Sequence, residues 1–408
     1  MLKRKNYGLL FAILLLALTS LSPSVDLSES NNPLPQSDNQ SPSRTSSLRQ
    51  TGDPVALRVA VALDDNGFSE LQRISDRYAL SKGVSVTLEN MGPHPNSETL
   101  IHELTVGTMP DIVMTDAGQI RELAQGGYLL PADAYQNSPG GTPLTPLLPL
   151  LQWNGYTWGV PLDVDPYVFV YETQVLKSLG MDHVPGSVEE WDSLLQVMKP
   201  ASGKYVLALD KNNPYGLSAL LESMGSPLYP AARKALEWVQ KNRASIYSSG
   251  GQEEIVWEML KQGRIGAAVI PYSVWREHAG SEEGLTVETP WGAEGAEPQS
   301  LLSRSFALSA QSHNPEAAAD WLYYLTSPEA QTDWLQSTGM LPAASEPYQN
   351  EPGVAASLPF DPEALLKEKA QADEPKPAWT TMVTAARELL TGKLDAPGFL
   401  AAVSSAAK

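Results

Sequence analysis

From Val55 onward the apolar residues fall into two alternating spacings. Short runs rich in β-branched residues read as buried strands, and longer stretches with apolar groups at i, i+3, i+4 and i+7 read as helices. VALRVAVAL (Val55–Leu63) is the first strand. A helix is expected from Gly67, with Phe68, Leu71, Ile74, Tyr78 and Leu80 on its face. GVSVTL from Gly83 gives a second strand, Leu100 to Val106 a second helix, and Met109 to Met114 a third strand. A helix from Gln119 to Gln125 follows, ended by Gly126-Gly127 at positive φ. Strands alternating with helices predict an α/β fold with a mainly parallel sheet.

The stretch WNGYTWGVPLDVDPYVFVYE (Trp153–Glu172) breaks that rhythm. Asn154-Gly155 suits a two-residue turn in which both positions need positive φ. Trp153, Tyr156 and Trp158 flank it, and Gly159-Val160-Pro161 is expected to end the hairpin, with Pro161 supplying no ladder donor. Tyr167 to Tyr171 then reads as a strand crossing from one lobe to the other, with Asp163 and Asp165 at the crossing.

Beyond it, helices are predicted at Val188–Met198, Ala231–Asn242 and Glu253–Lys261, and strands at Tyr205–Leu209, Ile265–Ile270 and Phe306–Leu308. Asn212-Asn213-Pro214-Tyr215-Gly216 reads as a polar turn opening a helix. Asn314-Pro315-Glu316 and Ser327-Pro328-Glu329 each combine a cap, a proline in the first turn and an acidic group suited to the helix dipole. Gly339 and Pro342 stop the second of these helices. The tail from Trp379 to Ala407 reads as helix broken at Gly392 and at Pro397-Gly398.

The N-terminus has a different character. Lys3, Arg4 and Lys5 precede LLFAILLLAL (Leu9–Leu18), a basic region and a short apolar run that read as a secretory signal. Spanning a bilayer takes ~20 apolar residues, more than this run supplies. Residues 1–22 are therefore expected to be a cleaved signal or a retained anchor, on an extracytoplasmic protein of a bacterial cell. Residues 23–54 are nearly all Ser, Pro, Asn, Gln and charge, too poor in apolar groups to offset ordering entropy, and read as a tether.

Composition narrows the function classes. The formal net charge of −19 argues against a nucleic-acid partner. With no cysteine, disulfides, thiol nucleophiles and thiolate metal sites are excluded. The five histidines show no metal spacing, and no cofactor is expected. Phosphate loops, nucleophile elbows and dinucleotide fingerprints are missing. Asp163 and Asp165 form a carboxylate pair of the kind glycoside hydrolysis uses, which keeps a carbohydrate-active enzyme as a minor alternative.

In doubly wound sheets ligands bind at the carboxyl ends of strands. That selects Asp64, Asp65 and Asn66 after the first strand, and Thr115 and Asp116 after the third. Asp64 serves equally well as a helix cap, and for Asp116 capping is the stronger reading. Asp163 and Asp165 precede an apolar strand, where a cap does not explain them, and Arg304 is a candidate to neutralise one of them. Trp191, Trp238, Trp257, Trp321 and Trp334 lie on apolar helical faces and read as core. Trp153 and Trp158 support the hairpin. Trp275, Trp379 and Tyr215 are candidates for ligand contact.

The segments GTMPDIVMTDAGQIRELAQGGYLLPADAY, NGYTWGVPLDVDPYVFVYE and SAQSHNPEAAADWLYYLTSPEAQTDWLQSTGMLPA resemble the extracellular solute-binding proteins of ABC importers, especially the maltose- and sugar-binding type. The resemblance runs from Val55 nearly to the C-terminus. It implies a two-lobed type II periplasmic-binding fold, with lobes at 55–165 plus 304–350 and 166–303 plus 351–408. It implies hinge closure over a sugar or similar polar solute and delivery to an ABC permease by a monomeric, non-enzymatic protein. By position it points to Asp64, Asp65, Asp116, Asp165, Tyr215, Trp275 and Trp379 as ligand contacts, with rings stacking on sugar faces. Three positions depart from the family pattern: the lipid-carrying cysteine is missing, Glu172 stands where asparagine is common, and Leu301-Leu302-Ser303-Arg304 replaces a glycine pair. A sensor-kinase or cell-wall-binding module is the alternative suggested by the missing lipid-carrying cysteine and the long tether. Acidic groups with aromatics would also suit an organic cation.

Overall fold

In the computed structural model, which describes residues 55–92, 110–136, 140–198, 203–278, 284–291, 300–366 and 377–406, the β-branched runs form one 11-stranded sheet and a separate two-stranded hairpin. The expected signal, tether and Leu100–Val106 helix lie outside the described residues. In chain order the strands are β1 (Ala56–Val61), β2 (Ser85–Asn90), β3 (Ile112–Asp116), β4 (Leu129–Leu130), β5 (Gln152–Trp153), β6 (Tyr156–Thr157) and β7 (Gly159–Glu172). They continue as β8 (Tyr205–Leu209), β9 (Ile246–Ser248), β10 (Ile265–Pro271), β11 (Leu285–Glu288), β12 (Leu301–Ser309) and β13 (Leu341–Pro342). The principal helices are α1 (Asp65–Lys82), α2 (Ala117–Gln125), α3 (Val188–Met198), α4 (Tyr215–Ser223), α5 (Arg233–Asn242) and α6 (Glu253–Lys261). After them come α7 (Tyr272–His278), α8 (Pro315–Leu325), α9 (Pro328–Thr338), α10 (Trp379–Thr391) and α11 (Ala396–Ala406).

The order β2-β1-β3-β12-β7-β10-β8-β9 has two similar ends. At one, β1 lies parallel to both β2 and β3; at the other, β8 lies parallel to both β9 and β10. The strands between them run antiparallel, with β7 as the shared member. Its first half pairs with β12 and β13, its second half with β10 and β11. Thirteen of its fourteen residues are buried. One strand thus carries the chain from one half of the sheet to the other, as the sequence suggests, and Asp53–Lys408 form one compact unit.

The hairpin ends at Thr157, just ahead of Gly159-Val160-Pro161, but the next strand starts earlier than Tyr167: β7 begins at Gly159 and runs through both Pro161 and Pro166. The ladder shifts between Arg304 and Ser305, opposite Asp163 and Pro161, so Leu162 is an extra residue. Bulges are among the few places a sheet accepts proline. The hairpin turn itself forms as expected, with Asn154 at φ 53° and Gly155 at φ 79°.

Helix boundaries mostly follow the punctuation. Ser327 caps α9 through Ala330 N, and Gly339 ends it at φ 65°. Three details differ. Asn314 stands before α8 but makes no side-chain cap, its backbone at φ −131° and ψ 56° lying outside the extended geometry of a capping residue. Only Gly127 of the glycine pair has positive φ. Pro397-Gly398 sits in the first turn of α11 instead of breaking a helix, since proline's missing N–H is harmless there. Trp191, Trp238, Trp257, Trp321 and Trp334 are all core, each no more than 4% exposed.

Candidate functional site

The carboxyl ends of β1 and β3 lie side by side and face the second half of the sheet. Two regions with opposite properties meet there.

The first is a hollow of about 500 Å³. Asp64, Asn66 and Gly67 line it from the start of α1, and Gln336 to Met340 from the end of α9. Arg304 of β12 also lines it, and Arg276 and Glu277 reach it from α7 in the second half. Asp64 also caps α1, accepting from Gly67 N at 2.7 Å, so both of its readings hold geometrically. Asp65 is exposed in the first turn of α1 and does not line the hollow.

Two ion-binding arrangements hold the arginines in place. Arg304 faces Asp163 in the ladder, and its Nε donates to both carboxylate oxygens at 3.0 Å. Trp334 Nε1 donates to the same carboxylate at 2.9 Å, and its ring lies 5.7 Å from the guanidinium. Burial works against the charge of Arg304, but Asp163, Asp165 and Asp64 together outweigh it and the pKa rises. So Asp163 is a buried counter-ion, explained by an arginine one strand away. Arg276 Nη2 donates to Thr338 O at 2.6 Å, at the carbonyl end of α9, where the helix dipole favours a cation. Its guanidinium rests on Gly339, where a Cβ would come within 1.2 Å of Nη1.

The second region is filled. Asp116 caps α2 through Gly118 N at 2.8 Å and accepts from the Tyr215 hydroxyl at 2.6 Å. Tyr215 stacks on Tyr167 at 5.6 Å and meets Trp379 at 5.3 Å between ring centroids. Trp379 covers Gly118, where a Cβ would come 2.5 Å from the indole. Next to it Thr380 donates to Glu122 from N at 3.1 Å and from Oγ1 at 2.8 Å. Here α2 of the first half and α4 and α10 of the second close on each other.

Burial pushes the Asp116 carboxyl up to about 6, against the pull of Tyr215 and Gly118. Burial also lifts Tyr215 well above the ordinary phenol range, with Asp116 adding to it, which keeps the hydroxyl a donor. Asp165 is 8% exposed and accepts from Ser273 N at 2.9 Å and Ser273 Oγ at 2.5 Å. It therefore caps α7, a helix a hundred residues away in sequence. Burial lifts it to about 6 as well, while Ser273 and Arg304 pull it down.

Of the sequence candidates, the structure joins Asp116 to Tyr215 and Tyr215 to Trp379, and puts Asp64 in the hollow. Asp165 does not line it. Trp275 packs 6.1 Å from Trp257 and does not line it. Sequence reasoning passed over Arg276, Gln336, Ser337 and Thr338. The glycine that ends α9 was the available signal, since it marks a helix end open to a cation. Among the described residues no cluster of acidic or histidine side chains could hold a metal.

Comparison with solved structures supports the fold. The GacH receptor of Streptomyces glaucescens, solved unliganded and with acarbose, superposes with a TM-score of 0.64 at 18% identity, over 86% of this chain and 97% of that one. An ABC transporter solute-binding protein of Thermotoga lettingae bound to α-D-tagatose gives 0.64 and 18%, over 86% and 99%. The sugar-binding protein MalE of Xanthomonas citri gives 0.63 and 18%, over 86% and 96%. No curated relative matches in sequence. A family of binding proteins, described as bacterial extracellular solute-binding protein, matches residues 74–358, so the chain belongs to the extracellular solute-binding proteins of bacteria.

Proposed function

We propose that this chain is the receptor of an ABC importer and captures a small polar solute, a sugar or oligosaccharide, in the hollow beside Arg304. The lobes would be residues 55–165 with 304–350 and 166–303 with 351–408, hinged where β7 passes between them. Asp64, Asn66, Arg276 and Arg304 would hold the solute, and Asp116, Tyr215 and Trp379 would close the neighbouring end. The receptor would act as a monomer without catalysis and present its closed form to the permease. The observation carrying this reading is that the hollow's walls come from both halves of the sheet. A solute touching both walls favours closure by its differential affinity. Neighbours of the same fold that hold acarbose and tagatose support a sugar.

A thermal-shift screen of the full chain against monosaccharides, oligosaccharides and polyamines tests it. At least one sugar is expected to raise the melting temperature, with ~2.7 kcal/mol of stabilisation at a hundredfold excess over Kd. A shift with polyamines alone would replace the sugar by a cation.

A further inference from the structure

We infer that the hollow takes a compact neutral polyol, a monosaccharide or sugar alcohol, held by guanidinium, carboxylate and amide groups with no ring stacked on it. This rests on the sugar reading above and narrows it.

The aromatic census supports it. All tryptophan, tyrosine and phenylalanine residues from position 55 onward fall among the described residues, so no other segment of the body can supply a ring. None of them lines the hollow, whose large apolar side chains among the described residues are Leu335 and Met340. Tyr215 and Trp379 are packed on each other, with Tyr167 and Gly118 covering their other sides. Trp275 is against Trp257, and Trp334 is fully buried beside Arg304. A glucan chain needs flat aromatic platforms for its C–H faces, and no ring lines this site.

Charge supports the neutral class. Arg276 and Arg304 stand against Asp64 and Glu277, with Asp163 paired behind Arg304. An anion would meet the carboxylates and a cation the guanidiniums. A hydroxyl both donates and accepts, so vicinal hydroxyls satisfy both kinds of group at once. At about 500 Å³ the hollow lies toward the lower end of the ~300–1,000 Å³ range of small-ligand sites.

Calorimetric titration of the full-length chain with D-glucose, D-fructose and D-mannitol, and separately with maltotriose and maltotetraose, tests this. At least one of the three small solutes is expected to bind at least tenfold more tightly than either oligosaccharide. Asp64→Asn, which keeps the helix cap, and Arg276→Gln should each weaken that binding about tenfold. Tighter binding of maltotetraose than of all three small solutes would overturn the inference and leave the sugar-receptor function standing. If none of the five binds, both fall. Full affinity in both variants would overturn the assignment of these groups.

Discussion

The two ends of the crevice are built from similar sequence material and behave in opposite ways. Each has a carboxylate after a parallel strand, Asp64 after β1 and Asp116 after β3, and each carboxylate caps the next helix. At the Asp116 end the opposing half offers a phenol hydroxyl and a flat indole, which fit a carboxylate and a bare glycine. The surfaces meet directly. At the Asp64 end the opposing half offers Arg276 and Glu277. Charged groups leave water only when fully paired, and each arginine here is already tied elsewhere, Arg304 to Asp163 and Arg276 to Thr338 O. The side chains are thereby held in place without collapsing, and a space remains between them. A carboxylate matched to a phenol and a ring matched to a glycine close a crevice, whereas anchored charges on both walls keep one open.

The largest effect is expected from removing what anchors the open end. Asp163→Ala leaves Arg304 without its counter-ion and Trp334 Nε1 without its acceptor. Loss of one partner of a buried pair costs about 3–5 kcal/mol, which urea unfolding would register. A loss below 1 kcal/mol would mean that Arg304 reaches solvent and needs no counter-ion.

Gly118→Ala attacks the closed end instead. The added methyl would stand 2.5 Å from the Trp379 ring, so the indole must move. Overpacking of this kind costs ~1–3 kcal/mol. Because the contact joins the two halves, the radius of gyration from small-angle scattering should also rise. The same stability loss with an unchanged radius would confine the damage to α2.

The smallest effect concerns pH. The folded pKa of Asp116, about 6, lies above the ordinary carboxylate value. The folded protein therefore binds that proton more tightly than the unfolded chain does. Its stabilising contribution is full below about pH 4 and is lost as pH climbs through about 6. Asp165 behaves in the same direction. Asp116→Asn should accordingly flatten part of the rise in melting temperature between pH 7 and pH 5. An identical pH profile in the variant would show that Asp116 titrates normally.

Much of the frame was readable from periodicity. The parallel strands, the hairpin turn and the buried tryptophans follow from local spacing, and α3, β8 and α6 match their expected limits. The start of β7 is hidden because a proline normally stops a ladder, and nothing local announces that Leu162 bulges opposite β12, about 140 residues later. The site was less legible for the same reason. The roles of Asp163 and Asp165 are set by Arg304 and Ser273, partners more than a hundred residues away. Arg276 matters because Gly339 leaves room for it, which requires knowing that α7 faces the end of α9. Tyr215 and Trp379 drew attention as rings, but whether a ring meets a ligand or another ring depends on how the halves approach.

The central claim is that the two halves shut on a solute held in the hollow. Because the chain has no cysteine, Ser69→Cys on α1 and Glu237→Cys on α5 can carry a spin-label pair without interference. The measurement is the distance distribution between those labels with and without the sugar that most stabilises the protein. If the halves shut on the solute, the ligand-free distribution has an open component that disappears when the sugar is added. One narrow distance, the same in both samples while the sugar binds, would contradict it.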